Sequence, residues 1–123
     1  MIRQGQLWWA DMSDDPVGPS PGFRRPVVVV QSETFNRTRL PTVVCVLVTS
    51  NLRLIDGLGN VLLNGDESGL PKDSVANVTQ IITLDRSQLL ERISQLPSTV
   101  VDDILAGVQT VLGLPPRVAW LRP

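Results

Sequence analysis

Two runs of β-branched residues constrain the fold of this chain more than any other feature. Residues 27–30 are four consecutive valines, and residues 42–49 read TVVCVLVT. Runs that are apolar at successive positions are typical of strands covered on both faces of a sheet. The sequence therefore predicts two central, rigid strands, at 25–31 and 42–49.

Polar side chains stand at one end of each predicted strand. Arg24 and Arg25 precede the first valine run, and Thr49 and Ser50 close the second. If the two strands are antiparallel neighbours, the start of the first lies beside the end of the second, and both ends are within reach of one ligand. Such junctions between a rigid strand and a loop often hold functional side chains. The alternative is that the two arginines only solubilise a strand end.

Composition excludes several kinds of chemistry. The chain has 123 residues, 42% of them hydrophobic, which suits one domain with its own core. It contains no histidine, which excludes Ser-His-Asp, Cys-His and histidine-paired RNA cleavage schemes. Catalysis would have to use arginine, carboxylate, hydroxyl or backbone groups. Cys45 is the single cysteine, so it cannot form an internal disulfide or a thiol cluster and is predicted to be a small buried hydrophobe.

Charge and motif spacing narrow the range of ligands. The formal net charge of −1 argues against a protein that coats nucleic acid through bulk electrostatics, while a local basic site stays open. The sequence has no metal-ligand spacing and no phosphate-binding glycine loop. Its apolar runs are too short to span a bilayer and no leader precedes them, so the protein is expected to be soluble and cytoplasmic.

Strand-favouring residues predict further elements around the two central strands. Residues 5–12 form a first strand, in which one of Trp8 and Trp9 faces the core and the other could line a groove and stack on a base. A proline- and glycine-rich loop follows at 13–22, and a polar connection with one helical turn precedes Pro41. The remaining predicted elements are a short strand at 61–64, a long strand at 74–84 and a last short element at 89–96.

A helical pattern occupies the C-terminal region. Its apolar residues recur at helical spacing, at Val101, Ile104, Leu105, Val108, Val111 and Leu112. The sequence predicts a helix that starts at 97–99, with Thr99 and Asp102 as a capping pair, and ends at Gly113. The apolar stripe is expected to pack on the sheet or on a second subunit. The end of the chain, from Arg117 to Pro123, is expected to be loosely held.

Several short motifs, in a fixed order, resemble the MazF/PemK ribonuclease toxins of bacterial toxin-antitoxin systems. The resemblance covers residues 5–112. It is carried by the tryptophan-containing first strand with Ala10-Asp11, by Arg25-Pro26-Val27, Val29 to Gln31, Asn36-Arg37, Leu47-Val48-Thr49-Ser50, Leu70 to Val75, Gln80-Ile81 and Thr83-Leu84-Asp85. One motif alone would not be specific, whereas the ordered set is.

The resemblance implies a mainly β (α+β) fold, an SH3-like small β-barrel of the CcdB/PemK type with a C-terminal α-helix. It implies one toxin domain over residues 1–114, followed by a tail at 115–123. It also implies a homodimer that cleaves single-stranded RNA at a short sequence, without a metal ion or other cofactor. A cognate antitoxin is expected to lay a flexible segment over the RNA groove.

The same resemblance assigns roles to individual residues. Arg25 and Thr49 match the catalytic positions of the family, where the 2′-hydroxyl of the RNA attacks the adjacent phosphate to leave a 2′,3′-cyclic phosphate and a 5′-hydroxyl. The expected RNA-binding positions are Arg24, Gln31, Asn36, Ser50, Ser74 and Gln80. For Gln31 and Asn36, holding loops in place is an equal alternative. For Gln80, the alternative is that the side chain lies on an exposed face of its strand.

The chain departs from the family in the loop before Arg25. Family members often carry an acidic residue late in this loop, for proton transfer or base recognition, where this chain has Ser-Pro-Gly-Phe at 20–23. Asp14 and Asp15 lie earlier. Either the general base comes from elsewhere or substrate recognition differs.

Two rival interpretations belong to other functional classes. CcdB toxins share the implied fold and poison DNA gyrase without catalysis, through their C-terminal helix region. That mode needs exposed residues at the extreme C terminus and no loop arginine, whereas this chain has Arg25 and ends in a proline-rich tail. The other rival is an inactive module that only binds an antitoxin.

Overall fold

In the residues that the structure describes, six strands form one antiparallel sheet. The structure is a computed structural model, which describes residues 1–13 and 23–114. The strands are β1 (Gln6–Asp11), β2 (Arg24–Val29), β3 (Thr42–Thr49), β4 (Val61–Leu63), β5 (Ser74–Asp85) and β6 (Leu89–Gln95). The helices are α1 (Glu33–Asn36), α2 (Gly65–Ser68) and α3 (Ser98–Leu112), with 3₁₀ turns at Leu52–Asp56 and Arg86–Gln88.

The two valine-rich runs form the centre of this sheet. The strand order is β4-β5-β3-β2-β1-β6, so β2 and β3 each have a neighbouring strand on both sides. They are antiparallel neighbours, with Val27 opposite Leu47 and Val29 opposite Cys45. The prediction of two central strands is therefore confirmed.

Each face of the sheet carries an apolar cluster, as a continuous valine run requires. The first cluster contains Leu7, Val28, Val46, Val48, Leu63, Leu70, Ala76, Val78, Leu96 and Ile104. The second contains Ala10, Val27, Val29, Val43, Cys45, Leu84 and Leu89. The paired tryptophans of β1 divide between them, because Trp9 packs against the first cluster and Trp8 against the second. Both rings are half-buried.

Cys45 is fully buried in the second cluster, as predicted. Burial raises the pKa of its thiol to about 12, because the charged thiolate loses its hydration there. The thiolate is the reactive form of cysteine, so this side chain acts as a small hydrophobe and not as a nucleophile.

The sheet curls until its two ends approach each other. β6 lies at one edge, and α2 follows β4 at the other edge. Nevertheless the Ser94 hydroxyl of β6 donates a hydrogen bond to the Ser68 carbonyl oxygen of α2. Two register shifts in the β1–β6 ladder add the bends that such a curl requires. The predicted mainly β, barrel-type fold with a C-terminal helix is confirmed.

Only the first part of α3 packs on the sheet. Ile104 and Gly107 are buried, whereas Val111 and Leu112 are 39% and 57% exposed. A Cβ atom on Gly107 would lie 2.3 Å from the carbonyl oxygen of Gly59, so this close approach requires a residue without a side chain.

The predicted cap of α3 is wrong. The helix begins at Ser98, so Pro97 is the N-cap residue, and it makes no side-chain capping hydrogen bond. Thr99 therefore lies inside the first turn, too late to cap it. The predicted end is confirmed, because Gly113 terminates the helix with a left-handed φ of 67°.

Two predicted features lie outside the described residues. One is most of the proline- and glycine-rich loop, residues 14–22 with Asp14 and Asp15, and the other is the tail at 115–123. Within the described part of the chain, none of the helices has the length and apolar character needed to cross a membrane.

Candidate active site

Arg25 and Thr49 lie near the same end of β2 and β3. The ladder between these antiparallel strands ends with Val27 opposite Leu47. Arg25 lies two residues before Val27, and Thr49 lies two residues after Leu47. Both residues line a surface groove of about 550 Å³ at this end of the strands. The structure thus brings the two predicted catalytic residues to one cavity.

The turn after β3 fixes the hydroxyl of Thr49. The Asn51 backbone N–H donates to Thr49 Oγ1 at 3.1 Å, and the Arg53 backbone N–H donates to Asn51 Oδ1 at 3.2 Å. Thr49 Oγ1 is therefore an acceptor toward its own chain. Since a hydroxyl carries one donor as well as two lone pairs, its O–H group is left to donate to a ligand in the groove.

Arg24 and Arg25 differ in their surroundings. The guanidinium carbon of Arg24 lies 5.4 Å from the centre of the Trp9 ring, and its Nη2 lies 3.5 Å from Glu91 Oε2. Among the residues that the structure describes, Arg25 has no carboxylate within 4.0 Å. Arg24 is thus held between an aromatic ring and an acid, whereas the charge of Arg25 is available to a ligand.

The opposite wall of the groove comes from the start of β5 and the turn before it. Ser50, Ser74 and Gln80, three of the predicted RNA-binding residues, line the groove together with Lys72. Ser74 is buried, and its hydroxyl donates to the Lys72 carbonyl oxygen at 3.0 Å. This hydrogen bond fixes the turn that carries Lys72, so the role of the Ser74 hydroxyl is to hold Lys72 in position at the groove.

The groove is electropositive. Among the described residues, its lining side chains include three cations, Arg24, Arg25 and Lys72, and no carboxylate. A cavity lined by one sign of charge concentrates ligands of the opposite sign, so this groove favours a polyanion. The described part of the chain also has no group of three or more His, Cys, Asp or Glu side chains that could hold a metal ion.

Gln31 and Asn36 lie away from the groove. Both are buried, and Gln31 Nε2 donates to Asn36 Oδ1 at 2.9 Å while Asn36 Nδ2 donates to the Gln31 carbonyl oxygen at 2.8 Å. Gln31 Oε1 also accepts from the Val44 backbone N–H at 3.3 Å. The geometry supports the alternative that these amides hold the loop between β2 and β3, and it does not bring them to the other predicted RNA-binding residues.

Comparison with known proteins places this chain in a family. One family model, described as the PemK-like, MazF-like toxin of type II toxin-antitoxin systems, matches residues 3–112. The chain belongs to this family. It is 40% identical to endoribonuclease MazF2 of Mycobacterium bovis over 114 residues, which are 93% of this chain and 99% of that protein. It is 33% identical to endoribonuclease MazF of Staphylococcus saprophyticus over 115 residues, 93% of each chain.

Solved structures agree with this MazF-like fold. A mycobacterial endoribonuclease in complex with its cognate antitoxin superimposes with a TM-score of 0.74, covering 94% of this chain and 99% of that one at 22% identity. MazF of Deinococcus radiodurans superimposes with a TM-score of 0.70 at 21% identity, covering 92% and 97% of the two chains.

Among the groove residues of this toxin are two polar ones that have no role assigned from the sequence, and one of the two tryptophans for which base stacking was an alternative. Trp9, Lys72 and Asn77 all line the groove. Lys72 carried a usable signal, since it is a basic residue just before a long strand, as Arg25 is at the start of β2. Asn77 carried a weaker one, as an amide between the apolar residues Ala76 and Val78 of β5. For Trp9, strand alternation left open which of the two rings faces the groove.

Replacing Asn36 with alanine tests the structural role of the buried amide pair. The change removes the hydrogen bonds that join the Asn36 amide to the Gln31 side chain and to the Gln31 carbonyl oxygen, so the free energy of unfolding is expected to fall by about 1–3 kcal/mol. Urea titration measures this, with Thr34→Ala in the exposed part of the same turn as the control. The cleavage rate per folded molecule is expected to stay at the wild-type value. An Asn36→Ala protein that keeps its stability and loses activity would return Asn36 to the RNA-binding set.

Proposed function

We propose that this MazF-like toxin is a metal-independent endoribonuclease that cleaves single-stranded RNA at a short sequence and so inhibits translation and growth. The observation that carries the proposal is that Arg25 and Thr49 line one groove, whose described lining is cationic. The names of the curated relatives support it, since the proteins from M. bovis and S. saprophyticus are both called endoribonucleases.

The chemistry that suits these groups is transesterification within the RNA. The 2′-oxygen attacks the adjacent phosphorus, a P–O2′ bond forms, and the P–O5′ bond breaks. The products are a 2′,3′-cyclic phosphate and a 5′-hydroxyl end. The proton of the 2′-hydroxyl passes to a base, and the departing 5′-oxygen receives one, so protons balance without a metal ion or an external nucleophile.

Arg25 and Thr49 supply charge stabilisation in this scheme. Negative charge builds on the phosphate oxygens as the 2′-oxygen attacks, and a fixed guanidinium beside them lowers the barrier. The Thr49 hydroxyl donates a hydrogen bond to one of the same oxygens. A guanidinium does not readily give up its proton, so Arg25 is not suited to act as the base. It is suited to neutralise charge and to donate a hydrogen bond to the leaving oxygen.

The same proposal extends to assembly. The toxin is proposed to be a homodimer in the cytoplasm, and an antitoxin segment is proposed to cover the groove and exclude RNA. Two exposed leucines beside α3, Leu58 at 82% and Leu62 at 44%, support a protein contact on that side. The cationic groove supports an antitoxin segment that carries acidic side chains. Light scattering that gives the mass of a single chain would contradict the dimer.

Cleavage of a long mixed-sequence RNA in excess EDTA tests the function. Purified, antitoxin-free protein is expected to cut at a limited set of sites, at the same rate with and without the chelator. Mapping of both ends is expected to find cyclic phosphates upstream and 5′-hydroxyls downstream. Folded protein that leaves the RNA intact, or 5′-phosphate ends, would contradict the proposal.

A further inference from the structure

The long strand β5 does not pair evenly with β3. Val46 lies opposite Ile81, and Val48 lies opposite Ala76. A single residue of β3, Leu47, therefore spans the same length of ladder as residues 77–80 of β5. Extra residues on one strand bend it and redirect its side chains, and such bulges are frequent beside active sites.

We call this segment, residues 77–80, the β5 bulge. Asn77 and Gln80 line the groove from it. Val78, between them, is fully buried in the first apolar cluster and anchors the bulge to the core. The Thr79 hydroxyl donates to Asn77 Oδ1 at 3.1 Å, which leaves the Asn77 amide hydrogens to a ligand. The bulge thus presents two amide side chains to the groove from an anchored backbone.

Asn60 holds the bulge from the other side of β5. The β4–β5 ladder pairs Val61 with Ala76, so its regular pairing stops where the bulge begins. There the Asn60 side chain replaces the missing partner strand. Its Oδ1 accepts from the Val78 backbone N–H at 2.9 Å, and its Nδ2 donates to the Leu54 carbonyl oxygen at 2.8 Å. Asn60 thereby ties the bulge to the 3₁₀ turn that follows Thr49.

We propose that the β5 bulge reads the identity of one base beside the cleaved phosphate, with Asn77 as a specificity-determining residue and Asn60 as the residue that positions it. The inference rests on the proposed RNA cleavage. Amide side chains carry both a donor and an acceptor, the combination that recognises the edge of an unstacked base. Arg25 and Thr49 are assigned to the reacting phosphate, which is the same in every nucleotide, so base recognition needs other groups in the groove.

The test is the sequence preference of cleavage, measured by sequencing the ends produced from a randomised RNA pool. Asn77→Ala is expected to lower the preference at one nucleotide position by about tenfold, while the preferences at the other positions stay unchanged. Thr83→Ala, on the same strand but outside the groove, is the control and is expected to keep the wild-type pattern. Asn77→Ser serves the same purpose if the alanine variant does not fold.

Variants of Asn60 test its role in positioning the bulge. Asn60→Ala is expected to weaken the preference at the same nucleotide position, because the bulge loses its hydrogen bond. Asn60→Asp keeps the oxygen that accepts from Val78 and is expected to retain that preference. The control is Asn64→Ala, which removes a comparable side-chain bond to the Asp66 backbone N–H of α2. A loss of rate that is uniform over all sequences in Asn60→Ala would mean that Asn60 only stabilises the fold.

The outcomes separate this inference from the proposed function. RNA that wild-type protein leaves intact contradicts the function itself. Wild-type cleavage with a strong preference that persists in Asn77→Ala and Asn77→Ser overturns the role of the bulge while leaving the function in place. Wild-type cleavage with no preference at any position also overturns it.

Discussion

Replacing Arg25 with alanine is expected to lower the rate of RNA cleavage by about 10³-fold. Arg25 lines the same groove as Thr49, and no carboxylate among the described residues lies within salt-bridge distance of it. Its removal takes away the cation that is proposed to neutralise the developing charge on the phosphate. The side chain is exposed and the valines that hold the strand remain, so the free energy of unfolding is expected to change by no more than about 0.5 kcal/mol.

Arg24→Ala is the matched control, because it removes the same charge from the adjacent residue. Arg24 is engaged by Trp9 and Glu91, and its loss is expected to weaken RNA binding far more than it slows the bond-breaking step. Single-turnover rates at saturating RNA separate the two effects, and thermal melting checks the fold. Equal losses in the two variants would mean that the groove uses its arginines only as bulk positive charge. Unfolding of Arg25→Ala would make that residue structural.

The central part of the fold follows from the sequence because it depends on one local property. The valine runs can be satisfied only by burial on both faces, which makes β2 and β3 central whatever surrounds them. Their antiparallel pairing then brings Arg25 to Thr49. The positions of these two residues were thus predictable from strand direction and register.

The roles of polar residues were less predictable, because they depend on partners distant in the chain. The sequence left two roles open for Gln31 and Asn36, holding a loop in place or binding RNA in the groove. Only the folded chain shows that the two side chains form hydrogen bonds with each other. The prediction of the helix cap was wrong for a related reason. The pattern at Thr99 fits a cap, but the N-cap residue is Pro97, two residues earlier.

The β5 bulge shows that a strand-like residue pattern predicts the strand but not its pairing register. Residues 74–85 have strand-favouring composition throughout, and the whole segment is one strand. The sequence does not show that the pairing with β3 shifts within it, because the shifted segment is bonded to Asn60, distant in the chain, and is anchored by the buried Val78. Side-chain directions near Gln80 therefore required the structure.

Replacing Thr49 with valine is expected to lower the cleavage rate by about 10²-fold. Valine has the same branched shape and strand preference, so the change removes the hydroxyl and little else. The lost oxygen accepts from the Asn51 backbone N–H, and its absence is expected to lower the free energy of unfolding by about 1 kcal/mol. Urea titration and single-turnover cleavage, run on the same preparations, measure both effects.

Thr42→Val makes the same chemical change at the opposite end of β3, outside the groove, and is expected to cleave RNA at the wild-type rate. Thr49→Ser keeps the hydroxyl and is expected to retain most of the activity. These two variants distinguish a hydrogen bond to the phosphate from a general effect on the strand. If Thr49→Val cleaves as fast as wild type, the Thr49 hydroxyl has no part in the reaction, and charge stabilisation in the groove falls to Arg25 and the remaining cations alone.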